Sequence, residues 1–462
     1  MFRRFTNLKH VHFVGVGGAG MSGIAEVLTD YALKVSGSDL KLSETTARLE
    51  RAGIEVFAGH DAKNVVGADL VVVSSAVPAD NPERLAAAAS GIPIVRRAEM
   101  LGELMRLKYG IAVAGTHGKT TTTSLIGALL TETGFDPTVI VGGRLRVSGT
   151  GARLGKSEFM VAEADEYDRS FLRLAPIIAI ITSIDRDHLD TYADLDEIEQ
   201  AFVTFADRVP FFGQLILCLD DENIQRVLPR LADRRVVTYG SSPQARLRAI
   251  DVEPTAAGSR FQVLHAERGP LGRLEIPMPG LHNVHNALAA VAVGLALDLE
   301  FEKIAAALAG FGGVHRRFER LGSWRQAQVV DDYAHHPTEV AATLAAAREA
   351  YPQAIIHAVF QPHLFSRTRD LAAEFGSALL AADRAWVTEI YPSRERPIEG
   401  VTAQLVVDAA QRSGHRHCLL AADWRSLPPL LAASVQPGDL ILTMGAGDIY
   451  RLAHQISAEE AA

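Results

Sequence analysis

Two glycine-rich segments stand about a hundred residues apart, and each connects an apolar, β-branched run to a helical pattern. The first, Gly15–Gly20, comes at the end of a strand predicted over Val11–Val16. The second, Gly115–Thr121, follows the strand predicted at Ile111–Ala114. A strand that turns tightly into a helix through glycines is typical of parallel sheets that bind phosphate groups. The chain is therefore predicted to be an α/β protein with parallel sheets.

The rest of the chain continues this alternation, and 462 residues suffice for about three domains of roughly 150 residues. We predict three α/β blocks, over residues 1–108, 109–313 and 314–462. The central block includes a small antiparallel part between Leu247 and Met278 and a long alanine-rich helix over His282–Leu297. Other predicted elements are the strands Lys34–Gly37, Ile54–Phe57, Leu70–Val73, Phe159–Ala162, Ile177–Thr182, Gln328–Val330, Ala354–Ala358, Arg384–Val387, His417–Leu420 and Leu440–Thr443, and the helix Thr338–Glu349.

The composition is that of a folded protein without a general attraction to nucleic acid. Hydrophobic residues make up 48% and charged residues 22%, and the formal net charge is -9. Nucleic acid and membrane are therefore not expected partners, and an anionic ligand needs local donors. Cys218 and Cys418 form no metal-thiolate pattern, and no apolar run approaches about 18 residues. These features predict a cytoplasmic protein.

The first glycine-rich turn matches G-x-G-x-x-G through Gly15, Gly17 and Gly20. Such a turn lets the backbone approach a diphosphate at the N-terminus of the following helix. Asp39 ends the second predicted strand, nineteen residues past Gly20, and by itself this spacing would indicate an NAD site. The pattern leaves open a dinucleotide, another nucleotide, and a structural turn without a ligand.

An ATP site is predicted at the second turn, which reads Gly115-Thr116-His117-Gly118-Lys119-Thr120-Thr121. Backbone N–H groups can surround phosphate oxygens, Lys119 can reach the β- and γ-phosphates, and the hydroxyl of Thr120 or Thr121 can bind Mg²⁺. The turn departs from the usual G-x-x-x-x-G-K-[ST] pattern because Val113 occupies the position of the first glycine. The alternative is an ordinary glycine-rich turn that contains a lysine.

Two acidic clusters follow strands of the central block. Glu163 opens the cluster Glu163–Asp168, and His188 lies in the cluster Asp185–Asp190. Because parallel strands present functional residues at their carboxyl ends, both could reach one ion, and carboxylates are preferred ligands of Mg²⁺. For each cluster the alternative is a solvated run of surface charge.

Four further polar clusters lie in the rest of the chain. Gly280–Asn286 opens the alanine-rich helix, where amide and imidazole groups could cap the helix or bind a base edge. In the third block, Arg316–Glu319 and Asp331–Pro337 flank one strand, and Gln361–Arg369 follows the next. Arginine and histidine suit carboxylate and phosphate ligands, although surface charge explains any one cluster alone.

In their order and spacing, these motifs resemble those of the Mur ligases, the ATP-dependent amide-forming enzymes of peptidoglycan precursor synthesis. The resemblance rests on Gly115–Thr121, Glu163, Asp187-His188, Gly280–Asn286, Arg316–Glu319 and Asp332–His335. Three further strings are similar to those of family members that add L-alanine to UDP-N-acetylmuramate. They are Gly15–Ser22, Asp331–Pro337 with Gln361–Arg369, and Tyr391–Pro397.

The resemblance implies a Rossmann-like N-terminal domain that binds UDP-N-acetylmuramate, a central P-loop ATPase domain, and a Rossmann-like C-terminal domain that closes over both and holds the amino acid. The first glycine-rich turn would then bind the UDP diphosphate and not NAD. The residues implied at the sugar-nucleotide site are Gly15, Gly17, Gly18, Ala19, Gly20, Met21, Ser38, Asp39, Ser74, Ser75 and Asn81.

The resemblance also implies a reaction with two steps. The lactyl carboxylate attacks the γ-phosphate of ATP to give an acyl phosphate, and the amine of L-alanine then displaces phosphate. Lys119 and Mg²⁺ would neutralise the developing charge, with Thr120, Glu163 and His188 as metal ligands. The other implied roles are adenine binding by His282, Asn283 and Asn286, contact with ATP by Arg317 and Asp332, and binding of alanine or the acyl phosphate by His335 and Arg367.

Several positions depart from the family pattern. Tyr167 stands where a small residue is common, Ser183 stands where asparagine is common, and Leu364 replaces an extra arginine of some members. Sister ligases often bridge a second Mg²⁺ with a carbamylated lysine, but this chain has no lysine between Lys156 and Lys303.

Three other functions remain open on the sequence alone. They are a ligase that joins a preformed peptide to the same sugar nucleotide, an NAD-dependent dehydrogenase, and a non-catalytic nucleotide-binding regulator. A dehydrogenase gives no reason for a second phosphate-binding turn. The chain is expected to act as a monomer or a dimer.

Overall fold

The structure, a computed structural model, describes residues 8–18, 20–74, 76–142, 151–188, 191–255, 257–393, 395–421 and 423–461. Helices surround three β-sheets, which confirms the predicted α/β class. Within the described residues, no helix combines the length and apolarity needed to cross a membrane. The chain divides into two compact units, one of Met1–Ile250, Gln262–Gly272 and His285–Gly312, and one of Asp251–Phe261, Arg273–Val284 and Gly313–Ala462.

The N-terminal sheet has five parallel strands in the order β3-β2-β1-β4-β5. The strand order reverses between β1 and β4, and ligands of such sheets bind at the carboxyl ends of the strands at this point. The strands are β1 His10–Val14, β2 Lys34–Asp39, β3 Glu55–Ala58, β4 Leu70–Val73 and β5 Ile94–Arg96. The helices are α1 Met21–Thr29, α2 Glu44–Arg51, α3 Pro82–Ala89 and α4 Arg97–Arg106.

The central sheet is mixed, with ten strands in the order β15-β14-β13-β12-β11-β10-β6-β9-β7-β8. Strand β6 pairs in parallel with β9 and β10, whereas β7 and β8 are antiparallel. The strands are β6 Tyr109–Ala114, β7 Thr138–Ile140, β8 Ala152–Arg153, β9 Phe159–Glu163, β10 Ile178–Ile181, β11 Gln214–Cys218, β12 Val236–Gly240, β13 Leu247–Pro254, β14 Ser259–His265 and β15 Gly269–Ile276. The helices are α5 Lys119–Glu132, α6 Leu195–Ala206, α7 Glu222–Val227, α8 Leu281–Ala296 and α9 Phe301–Ala309.

The C-terminal sheet has six strands in the order β16-β17-β21-β18-β19-β20, and only β16 is antiparallel to its neighbour. Separate hydrophobic clusters cover its two faces, as in other doubly wound sheets. The strands are β16 Glu319–Trp324, β17 Ala327–Asp332, β18 Ile356–Phe360, β19 Arg384–Thr388, β20 Cys418–Ala421 and β21 Leu440–Met444. The helices are α10 Pro337–Ala350, α11 Phe365–Ala378, α12 Gln404–Arg412, α13 Leu427–Ala432 and α14 Tyr450–Ala461.

Candidate active site

The first glycine-rich turn lies between β1 and α1, at the reversal of strand order. Strand β1 ends at Val14, two residues before the predicted end, because Gly15 adopts a left-handed φ of 80°. The N–H groups of Gly15 and Val16 donate to the Ser38 carbonyl at 2.8 and 3.0 Å, and the Gly17 N–H donates to Asp39 Oδ2 at 2.9 Å. The end of β2 therefore holds the turn in place.

Some of the other residues implied at the sugar-nucleotide site lie near the first glycine-rich turn, and others have structural roles or lie outside the described residues. Ser74 lies at the end of β4, with Oγ 3.9 Å from where a Gly15 Cβ would be. Asn81 is buried and caps α3, since its side chain accepts from the Glu83 and Arg84 N–H groups. The predicted Ala19 and Ser75 lie outside the described residues, as do Asp190 and Arg394 of the quoted motifs. The backbone of Gly18 accepts from the Met21 N–H, and the Met21 side chain is buried.

The buried carboxylate of Glu83 supports the first glycine-rich turn indirectly, through Ser38. Glu83, in the first turn of α3, is fully buried and accepts hydrogen bonds from Ser38 Oγ and Asn64 Nδ2, each at 2.6 Å. His60 Nδ1 lies 3.1 Å from the carboxylate and His12 Nε2 lies 3.7 Å from it. Burial acts to raise the pKa of Glu83, but His12, Ser38 and Asn64 hold that pKa below its ordinary value. The Ser38 hydroxyl is thus occupied within the protein, and its carbonyl holds the turn.

Replacing Glu83 by glutamine is expected to lower the free energy of unfolding by about 3 kcal/mol at pH 7, because buried donors lose their charged acceptor. The pKa of Glu83 is depressed, so its contribution is complete above the ordinary pKa of 4.5 and disappears as the pH falls through the folded value. Urea unfolding at pH 7 and pH 4 measures both effects. Glu55→Gln is the control, since the Glu55 side chain is half exposed on β3; equal losses for the two variants at pH 7 would contradict the expectation.

The second glycine-rich turn joins β6 to α5, as predicted. Gly118 has a φ of 81° and directly precedes α5, so the first N–H groups of the helix face the turn. Ser183 holds the other side, because its carbonyl accepts from the Thr116 N–H and its hydroxyl accepts from the His117 N–H, both at 3.0 Å. The His117 ring lies 2.9 Å from Asp185. Ser183 therefore supports the loop directly.

Lys119 points back across this turn into an acidic pocket. Its Nζ donates to the carbonyls of Gly115 and Thr116 at 2.7 and 3.1 Å, and lies 2.8 Å from Glu166. Burial acts to lower the pKa of Lys119, but Glu166, Asp165 and Glu163 raise it above its ordinary value. The raised pKa favours the charged form of this lysine, which is the form that binds phosphate.

Oxygen ligands for a metal ion lie beside this lysine. Thr120 Oγ1 donates to both Glu163 oxygens at 3.1 and 3.0 Å, and the Gly142 N–H donates to Glu163 at 2.8 Å. Burial raises the pKa of Glu163, with Lys119 opposing it. A buried carboxylate next to a hydroxyl at a phosphate-binding turn is a donor set that fits Mg²⁺. Of the two threonines considered, Thr120 is the one bonded to the carboxylate.

His188 belongs to a second group of potential ligands. Its Nε2 lies 3.5 Å from Glu166, and His188, Glu166 and Asp165 present ligand atoms within 4.8 Å of one another. Burial acts to lower the pKa of His188, but Glu166 and Asp187 raise it. Burial also raises the pKa of Asp165, while Lys119 and His188 hold that of Glu166 below its ordinary value. The sequence pattern did not single out Glu166, which contacts both predicted residues.

Helix α8 brings amide and imidazole groups to the predicted adenine-binding segment. Thr122 Oγ1 in α5 donates to Asn286 Oδ1 at 3.0 Å, so Asn286 lies beside the helix that follows the second glycine-rich turn. The Asn283 amide donates to the Pro279 carbonyl at 2.8 Å, and His282 is half-buried. His285, which was not predicted, lies 3.0 Å from Asp220. Burial acts to lower the pKa of His285, but Asp220 outweighs it and raises that pKa to about 9.

This ion pair gives a pH-dependent stability. His285 has a folded pKa of about 9 against an ordinary value of 6.5. At pH values below the ordinary pKa of 6.5, the ion pair therefore contributes at most about 3 kcal/mol to the free energy of unfolding. This contribution is lost as the pH rises through 9. We expect His285→Gln to lower the free energy of unfolding by about 2 kcal/mol at pH 7 and hardly at all at pH 10. Urea unfolding at the two pH values measures this difference, and His454→Gln is the control because His454 is exposed. An equal loss of unfolding free energy at pH 7 and pH 10 would refute the prediction.

The predicted residues of the third block lie around the ends of β17 and β18. Asp332 is buried, and its carboxylate accepts from the Phe318 and Ala334 N–H groups at 2.7 and 2.8 Å. Burial raises the pKa of Asp332, with Arg317 opposing it. His335 Nδ1 lies 3.1 Å from Glu339, and Arg367 is half-buried in the first turn of α11. Asp332 thus organises the backbone around Arg317.

Three protein-family models match consecutive parts of the chain. They describe a Mur ligase family catalytic domain over residues 10–109, a Mur ligase middle domain over 113–294, and a Mur ligase glutamate ligase domain over 316–447. The chain belongs to the Mur ligase family. The sheets described above have the three-domain architecture of Mur ligases, and membership confirms the resemblance.

Among the Mur ligases, the chain is highly similar to enzymes named for UDP-N-acetylmuramate and L-alanine. A UDP-N-acetylmuramate–L-alanine ligase of Geobacter sp. (strain M21) is 51% identical over 448 residues, which cover 97% of each chain. The crystal structure of the UDP-N-acetylmuramate-alanine ligase of Thermotoga maritima has a TM-score of 0.81 at 30% identity, covering 98% of this chain and 99% of that one. A murein peptide ligase of Psychrobacter arcticus 273-4 has a TM-score of 0.69 at 22% identity, covering 97% and 98%, and shows the shared fold alone.

Proposed function

We propose that this Mur ligase joins L-alanine to UDP-N-acetylmuramate with ATP, through an acyl phosphate, in peptidoglycan precursor synthesis in the cytoplasm. The observation that carries the chemistry is the buried contact of Lys119 with Glu166 at the ATP-binding turn, beside the Thr120–Glu163 pair. The acceptor and the amino acid are those named for the relative that is 51% identical over almost the whole chain.

The positions of these residues support the proposed roles of the domains. We assign residues 1–108 to the sugar nucleotide, 109–313 to ATP, and 314–462 to the amino acid and to contacts with ATP. In the first, the glycine-rich turn lies at the reversal of strand order directly before α1, and Gly20 has the left-handed φ of 76° that the turn requires. In the last, His335 and Arg367 are the groups proposed to hold alanine or the acyl phosphate.

In the first step a carboxylate approaches a polyphosphate, so like charges must be brought together. Lys119 is the cation that offsets this repulsion, and it exchanges the Gly115 and Thr116 carbonyls and Glu166 for phosphate oxygens. The N–H groups at the start of α5 donate to the same phosphates. Burial makes each of these interactions stronger than it would be in water.

Mg²⁺ is proposed as the cofactor, with Thr120 and Glu163 as ligands and His188 as a third. When bound, it would supply further positive charge at the phosphate oxygens. The chain's own residues keep this donor set in place: the Gly142 N–H fixes Glu163, and Glu166 lies next to His188. The chain has no lysine between Lys156 and Lys303, so carbamylated lysine is not part of the proposed set.

A phosphate-release assay with purified protein tests the function. With UDP-N-acetylmuramate, ATP and Mg²⁺ present, phosphate release should require L-alanine, and the product should be the L-alanyl amide by mass spectrometry. Glycine, L-serine and the tripeptide L-alanyl-γ-D-glutamyl-meso-diaminopimelate are the comparison amines. Release that depends on the tripeptide and not on L-alanine would instead identify a peptide-adding ligase, and nicotinamide binding without ATP turnover would identify a dehydrogenase.

A further inference from the structure

The proposed metal ligands and the partner of Lys119 lie on two loops of the central sheet. Glu163 ends β9 and Glu166 follows it, whereas His188 follows β10. Strands β9 and β10 pair with β6 on its two sides, so no shared ladder of hydrogen bonds holds one loop to the other. The geometry of the site therefore depends on contacts between the loops themselves.

Tyr192 connects the two loops from the interior of the protein. It is only 1% exposed, and its hydroxyl donates to the Glu166 carbonyl at 2.7 Å. In its own loop, the N–H groups of Thr191 and Tyr192 donate to the His188 carbonyl at 2.8 and 3.0 Å. The side chains of the two residues held in this way meet, since His188 Nε2 lies 3.5 Å from Glu166 Oε1. Tyr192 thus contacts the backbone of both members of this pair.

The backbone of both loops is strained close to these contacts. His188 has a φ of 56°, and Asp168 and Arg169 have φ values of 54° and 59°. Residues other than glycine seldom adopt this left-handed conformation, and it persists where the surrounding contacts determine it. The Arg169 guanidinium lies 4.9 Å from the centre of the Tyr192 ring and pairs with Glu197 in the first turn of α6. Tyr192 therefore packs against the strained part of the neighbouring loop.

The carboxylate of Glu166 is shared by two groups of the site. Its oxygens lie 2.8 Å from Lys119 Nζ and 3.5 Å from His188 Nε2. The Glu166 carbonyl also accepts from the Arg169 N–H at 3.0 Å, so two donors fix the backbone of this residue. Burial raises the pKa of Tyr192, so its hydroxyl keeps the proton that it donates. A displacement of Tyr192 would therefore move Glu166 relative to both groups.

We propose that Tyr192 is a positioning residue for metal binding, which holds the loop of His188 against Glu166 so that His188 can join Thr120 and Glu163 as a ligand. The inference rests on the proposed function, since it takes the ion to be the Mg²⁺ that accompanies ATP. Tyr192 acts through Glu166 and His188 and not by contact with a substrate. Residues that orient metal ligands in this way typically change metal affinity by about 10- to 100-fold when they are replaced.

Metal binding without turnover tests this assignment. Mn²⁺ is titrated into the full chain with a non-hydrolysable ATP analogue, and electron paramagnetic resonance measures the Mn²⁺ bound to the chain. Tyr192→Phe removes only the hydroxyl, and Tyr192→Leu also removes the ring that packs against Arg169. Tyr351→Phe is the control, since it removes a tyrosine hydroxyl that accepts from Arg320 at the end of α10. We expect the dissociation constant of Mn²⁺ to rise about tenfold for Tyr192→Phe and about a hundredfold for Tyr192→Leu, and to stay unchanged for the control.

A positioning role and a purely structural role of Tyr192 give different results. In the folded Tyr192→Phe protein, the Mg²⁺ concentration for half-maximal phosphate release should rise about tenfold, whereas the KM for UDP-N-acetylmuramate should stay unchanged. A lower unfolding midpoint with unchanged Mn²⁺ affinity would show that Tyr192 only stabilises the fold, and would overturn the inference. An equal rise in the KM for UDP-N-acetylmuramate would also overturn it.

The Mn²⁺ titration also separates this inference from the proposed function. If Mn²⁺ does not bind to the unaltered chain, the assignment of the metal ligands is wrong and the role of Tyr192 is overturned with it. If the unaltered chain binds Mn²⁺ but does not join L-alanine to UDP-N-acetylmuramate, the proposed function is refuted, while the affinities of the Tyr192 variants for Mn²⁺ still decide the role of this residue.

Discussion

Replacing Lys119 by alanine is expected to lower kcat for ligation about a thousandfold or more, which corresponds to about 4 kcal/mol of transition-state stabilisation. The side chain is buried, its Nζ lies 2.8 Å from Glu166, and the surrounding carboxylates keep it protonated. Without it, a carboxylate attacks ATP beside Glu163 and Glu166 with no lysine to offset the negative charge. Phosphate release in the presence of UDP-N-acetylmuramate and L-alanine measures the effect.

Lys303→Ala is the matched control for charge, because Lys303 is exposed on α9 of the same domain. It is expected to retain full activity. Circular dichroism and the unfolding midpoint of both variants show whether loss of the ion pair has unfolded the second glycine-rich turn. A folded Lys119→Ala protein with more than a tenth of the original kcat would show that Lys119 does not stabilise the transferred phosphoryl group.

Replacing Glu163 by glutamine is expected to abolish ligation, with kcat lowered about a thousandfold, while UDP-N-acetylmuramate binds with unchanged affinity. The two effects separate because Glu163 lies at the end of β9 in the central sheet, whereas the first glycine-rich turn lies on the N-terminal sheet. Glutamine keeps the hydrogen bond from Thr120 but removes the charge that suits Mg²⁺. Calorimetry gives the affinity and the phosphate-release assay gives kcat.

Glu132→Gln is the control for this variant, since Glu132 is exposed at the last residue of α5, the helix that begins beside Glu163. If Glu163 acts through the metal, raising the Mg²⁺ concentration should partly restore the kcat of the Glu163→Gln variant. Loss of sugar-nucleotide binding in parallel with activity would contradict the assignment of the two sites to different sheets.

One strand shows how burial on both faces makes a strand recognisable in the sequence. Ile178–Ile181 is fully buried in the centre of a parallel sheet, so its residues form an uninterrupted apolar run. By contrast, Ile94–Arg96 and Ala152–Arg153 are only three and two residues long and were not predicted. Strand β16 was missed because it is antiparallel and partly exposed, and contains Arg320 and Gly322.

Some residues of the candidate site can also be recognised in the sequence, whereas others cannot. The glycines and Lys119 are recognisable because the turn and its ligands come from one short segment, whose conformation its own residues determine. Glu166 and Glu83 were not singled out, because their importance lies in partners 47 and 45 residues away in the sequence. Such contacts exist only in the folded chain.

Because Glu83 lies about sixty residues after the first glycine-rich turn, the support of this turn depends on how much of the chain has been synthesised. The turn ends at Gly20, yet the carboxylate that fixes Ser38, whose carbonyl holds the turn, arrives only with α3. A ribosome that has released fewer than about 83 residues therefore presents the turn without its support, in line with the late formation of contacts that close long loops. In a growing chain, the first glycine-rich turn thus gains this support only after α3 has been synthesised.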